Sequence, residues 1–70
     1  MGDHVYAITE VVGSSSESIE NAISNAIGTA SNSLRNLEWF EVTGTRGHIV
    51  DGKVGHYQVY VRLGFRYEKD

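Results

Sequence analysis

The feature that most limits what this chain can fold into is a change of period partway along it. Between residues 19 and 34 the apolar positions Ile19, Ala22, Ile23, Ala26, Ile27, Ala30 and Leu34 recur at three- and four-residue steps. That is one stripe of a 3.6-residue helix. From residue 38 to 50, and again from 53 to 68, the pattern alternates, and the two runs flank Asp51-Gly52. Both residues of that dipeptide tolerate the positive φ of a type I′ turn, so the runs are expected to pair as an antiparallel hairpin. Ahead of the helix, residues 5–12 are rich in β-branched and aromatic types and stop at Gly13, which predicts a first strand. Ser14-x-x-Glu17 has capping-box spacing, with Ser15 an equally good cap, so the helix is expected to begin there. Small residues are frequent on this helix, Gly28 among them, which suggests close packing onto a sheet. The sequence therefore reads as one α+β domain spanning residues 1–70, with element order β-α-β-β.

The turn fixes a register that can be checked. A regular ladder leading away from Asp51-Gly52 puts Phe40 opposite Leu63 and Val42 opposite Val61. With Val59, Phe65 and Tyr57 these make an apolar face to receive the helix. On the other face Trp39 meets Gly64, Glu41 meets Arg62, Thr43 meets Tyr60 and Thr45 meets Gln58, with Arg66 further along. A bulge at Gly44 or Gly47 would shift whatever lies beyond it. Strands of this length exceed the usual five or six residues, and one helix cannot cover the whole hairpin. Its second face must meet solvent, a ligand or other subunits.

Composition narrows the partners. Seventy residues hide only roughly 60% of the surface their unfolded chain exposes, so a small core alone is marginal. There is no cysteine to supply a disulfide or a thiolate zinc site, and three scattered histidines are a poor metal kit. Self-association is the remaining way to add buried surface. A net charge of −3 with no basic cluster argues against a nucleic-acid partner. No apolar run reaches membrane-spanning length, and the first residues lack a secretory pattern, so no membrane partner and a cytoplasmic location are expected.

Among individual residues, Trp39 lies opposite a glycine, and the gap beside the indole could admit a flat ligand or a neighbouring subunit. Gln58 offers an acceptor and a donor together, the pair that reads an imide-like ring edge. The two are about 20 Å apart along the strand, so a ligand touching both requires two subunits or a strongly curled sheet. Glu41 and Arg62 fit a cross-strand ion pair of small worth. Arg46 and Arg66 fit further surface charge, or a planar fork for phosphate. Gly44-Thr45-Arg46-Gly47 is a GxxG string, but it lies in strand-like sequence and not between helices, so a nucleic-acid clamp is not supported. The regular register puts His48 opposite Gly55 and His56 opposite Gly47, on opposite sides of the sheet, which argues against chelation by the pair. No catalytic constellation and no nucleotide-binding glycine loop can be assembled.

Leu37-Glu38-Trp39-Phe40-Glu41-Val42, Arg46-Gly47-His48-Ile49, Tyr57-Gln58-Val59 and Gly64-Phe65-Arg66, with Ser18-Ile19-Glu20 and Asp51-Gly52, together resemble the dodecins, small flavin-binding proteins. The resemblance runs end to end. It implies a helix cradled by a curved three-stranded antiparallel sheet, and a homo-oligomer of twelve copies forming a hollow shell. It also implies stacked flavin pairs, each ring against a tryptophan and hydrogen-bonded by a glutamine, roles that fall on Trp39 and Gln58. FMN is the flavin expected, with riboflavin and FAD as alternatives. Some members also bind coenzyme A, which gives Arg46 and Arg66 a phosphate to meet. The function implied is flavin storage and photoprotection, not an enzyme's turnover. The alternatives are a flavin-dependent reductase and a purely structural assembly module. Arg62 stands where a lysine is more usual in that family, and Gly28 and Gly44 stand where bulkier residues are.

Overall fold

A computed structural model describes residues 3–67. Strand β1 (Tyr6–Ser15) leads into helix α1 (Ile19–Ala30), and β2 (Leu37–Val50) and β3 (Lys53–Arg66) follow as a long hairpin. All pairings are antiparallel and the order is β1-β3-β2, which makes the last strand the central one. Asp51 and Gly52 turn the hairpin with φ of 52° and 74°, the two positive values a type I′ turn requires.

The helix begins later than the serine cluster suggested. Ser14 and Ser15 remain in the β1 ladder opposite Gln58 and Tyr57, so their backbones are committed to the strand. Ser18 is the N-cap, its Oγ accepting from the Asn21 amide at 2.9 Å. Ser15 instead shapes the turn into the helix. Its buried hydroxyl accepts from the amides of Glu17 and Ser18 and donates to Asn21 Oδ1. At the other end the helix stops at Ala30, so Leu34 of the apolar stripe lies in the following turn, its amide donating to the Ala30 carbonyl.

The core is small. Ala22 and Ala26 of the helix meet Val59, Val61 and Leu63 of the central strand, with Val11, Ile23, Ile27, Ala30 and Leu37 around them. Close approach is real at Gly13, where an added Cβ would strike the Ala22 carbonyl oxygen and come within 2.9 Å of the Ala26 Cβ. At Gly28 the expectation fails, because nothing lies within 4 Å of the position a Cβ would take.

The helix packs on β1 and β3 rather than on β2. The helix-side residues of β2 are therefore left uncovered, Phe40 being 49% exposed and Val42 40%. Beyond the helix the hairpin projects, and Ile49 near its tip is 79% exposed. The protomer measures 56 × 20 × 13 Å, with a radius of gyration of 14.6 Å, against about 11 Å for a compact chain of this length.

Candidate functional site

The face of the sheet turned away from the helix carries the polar and aromatic residues singled out from the sequence. Around the middle and the far end of the hairpin the regular register holds: Trp39 pairs with Gly64, Phe40 with Leu63, Glu41 with Arg62 and Val42 with Val61. It also holds beside the turn, where Val50 meets Lys53 and Ile49 meets Val54. Between these stretches it is displaced by one residue. Gly55 stands outside the ladder on β3 and Thr43 outside it on β2, so the two irregularities cancel and leave only the intervening pairs shifted. Tyr60 consequently faces Gly44 in place of Thr43, Gln58 faces Arg46 in place of Thr45, and His56 faces His48 in place of Gly47. The third irregularity, between Leu37 and Trp39, leaves Glu38 unpaired just before the tryptophan.

Trp39 fills the space above Gly64 itself. A Cβ built at Gly64 would run into the indole atoms Cε2, Cζ2 and Cδ2, so the predicted gap beside the ring is closed by the ring. The indole is propped from the other side by Tyr6, whose ring meets it edge-on at 5.0 Å and 64°. Trp39 still leaves 41% of its surface exposed. The dent of about 150 Å³ lined by Ile27, Leu37, Glu38, Trp39, Phe40 and Leu63 lies at the β2 edge on the helix side, so on the open face one chain offers the indole as a shelf.

Arg66 follows Gly64 on the same face of β3 and pairs with Tyr6, which places it one row from the indole. Arg46 and Gln58 are directly opposed at the other end of the face, and Arg46 Nη1 donates to the Tyr60 hydroxyl at 3.2 Å. Gln58 is half-buried while Arg46 is exposed. The structure thus brings Trp39 together with Arg66, and Arg46 together with Gln58. The two groups remain about 20 Å apart along β3. Between them Glu41 and Arg62 approach to 4.0 Å, a long and exposed ion pair, and the Thr43 hydroxyl donates to Glu10 Oε2 at 3.1 Å.

Tyr6 and Tyr60 were not picked out from the sequence as parts of the site. Tyr60 was placed on this face by the alternation, yet its bond to Arg46 depends on the shifted register. Tyr6 belongs to β1, whose pairing partner the hairpin signal does not specify. Among the described residues no group of three or more His, Cys, Asp or Glu is placed to hold a metal ion. No described helix is long and apolar enough to cross a membrane.

A β-α-β-β protomer with an aromatic shelf at one end of its open face, and a polar pair at the other, defines a small sheet module suited to binding. Comparison with known proteins makes the class specific. The dodecin family model matches residues 5–68, and the dodecin of Thermus thermophilus is 46% identical over 65 residues, 93% of this chain and 94% of that one. The solved dodecin of Streptomyces coelicolor is 51% identical with a TM-score of 0.94 over 100% of both chains. That of Streptomyces davaonensis is 44% identical with a TM-score of 0.93, over 97% of this chain and 100% of the other. The chain belongs to the dodecin family. The β-α-β-β fold expected from the sequence is the fold observed.

Proposed function

We propose that this protein binds flavin, FMN foremost, as ring pairs held between copies of the chain, and that it stores and shields the flavin without turning over a substrate. The observation that carries this reading is the fixed, partly exposed indole of Trp39, seated on Gly64 and braced by Tyr6. A flat ring laid on such a shelf gains stacking worth about 0.5–1.5 kcal/mol beyond its buried area, and a second flavin supplies the same on its other face. Gln58, with an acceptor and a donor on one amide, suits the pyrimidine edge of the ring. Because Gln58 lies far from Trp39 in one chain, it would reach the ring from a neighbouring copy.

Family membership supports the reading, and so do solved variants of the Thermus thermophilus dodecin. In those, a tryptophan is replaced by phenylalanine and two arginines by alanine. The intervals between the replaced positions equal those between Trp39, Arg46 and Arg66 here. Arg46 and Arg66 would then meet the phosphate of FMN or of coenzyme A, which the guanidinium fork suits. The uncovered apolar residues of β2 and of the hairpin tip supply surface for self-association, in a homododecamer as in the family.

Indole in contact with photoexcited flavin passes it one electron and receives it back, so the excitation leaves as heat. Titrating FMN with the protein is expected to quench flavin fluorescence saturably at about one flavin per chain. Trp39→Ala is expected to keep the oligomer and to lose most of the flavin affinity. Unchanged FMN fluorescence in the presence of the wild-type protein would refute the binding reading. Steady oxidation of NAD(P)H by the flavin-loaded protein would refute the storage reading and favour a reductase.

A further inference from the structure

The displaced stretch of the ladder changes the relation of the two hairpin histidines. A regular register from the turn would put Gly55 opposite His48 and send the imidazoles to opposite faces. With Gly55 outside the ladder, His56 moves into register with His48. Their ring centroids are 5.8 Å apart and the ring planes are 87° to one another.

That separation suits a shared ion. A zinc-bound imidazole has its nitrogen about 2.0–2.1 Å from the metal, so its ring centre lies about 3.2 Å away, and two such rings at a tetrahedral angle have centres about 5.2 Å apart. A small side-chain rotation closes the difference, and both residues are exposed in the single chain, so that rotation disturbs no packing within it. Two cations flank the pair on the same face, Lys53 one row outward beside Val50 and Arg46 one row inward. The Arg46 guanidinium is tied to the Tyr60 hydroxyl, further inward still, and so leans away from the histidines. Among the described residues no third protein ligand completes the group.

We propose that His48 and His56 form a two-histidine site for a divalent transition ion of the zinc class. Water fills the remaining positions, and these are open to exchange with an anionic ligand. The site requires neither Trp39 nor bound flavin, so it stands or falls separately from the flavin reading.

The test is calorimetric titration of zinc chloride into untagged, flavin-free protein in a non-coordinating buffer at about pH 7.5, where free imidazole is neutral. Wild type and His4→Ala are expected to bind one zinc per chain, and His48→Ala and His56→Ala to bind it about ten-fold more weakly or not at all. Cobalt in place of zinc is expected to give visible d–d absorption in the wild type that both variants lose. His48→Gln and His56→Gln repeat the comparison should an alanine variant change its circular dichroism spectrum. The absence of saturable heat with wild type overturns the proposal. So does zinc binding of undiminished affinity after loss of either His48 or His56.

Discussion

Gly64 carries no side chain, and Trp39 occupies the room this leaves, with Tyr6 closing in from the far side. A methyl group at Gly64 would push the indole off its seat, and because the obstacle is a partly exposed side chain and not backbone, it can swing aside. Gly64→Ala is therefore expected to weaken FMN quenching by about ten-fold or more while shifting the melting temperature little. Gly13 is the opposite case, because its obstacle is the backbone oxygen of Ala22 together with the Ala26 methyl, neither of which can step aside. Gly13→Ala is expected to lower stability by about 1–3 kcal/mol in chemical denaturation. The pairing of Trp39 with Gly64 could be read from the turn and the alternation alone. Which group would fill the gap could not, because that depends on the rotamer of one indole and on a tyrosine from a strand whose partner the hairpin pattern does not specify.

At the level of elements, local chemistry was the readable part. Asp51-Gly52 forms the turn, and the helix stripe buries Ala22 and Ala26 as its spacing implies. The ladder's irregularities were only partly readable: the one expected at Gly44 falls directly beside it, between Val42 and Gly44 with Thr43 left outside, whereas Gly47 stays in the ladder and the compensating irregularity at Gly55 was not foreseen. A glycine permits a bulge without demanding one. The cap was misplaced for a related reason, as three consecutive serines and Ser18 all have capping chemistry, but Ser14 and Ser15 are held in the β1–β3 pairing and the cap falls on Ser18, beyond Ser16. Ser18→Ala is expected to destabilise the fold by about 1 kcal/mol. Ser14→Ala, at an exposed position outside the cap, is expected to melt with the wild type; equal losses in the two would contradict the assignment.

For the molecule as a whole, a slab 56 Å long with a five-residue buried core has little to hold it together in isolation. Its melting temperature is expected to rise with protein concentration, the mark of stability shared between chains. Phe40→Asp, which puts charge on the uncovered inner side of β2, is expected to sediment as smaller species than the wild type. An unchanged sedimentation coefficient would place the association surface elsewhere. The helix that stops short of β2 also bears on inheritance. If a neighbouring copy supplies the layer that each β2 lacks, a faulty chain damages its neighbours as well as itself. Cells making equal amounts of sound and faulty chains would then hold far less than half the normal complement of intact assemblies, and a single mutant copy would behave as dominant.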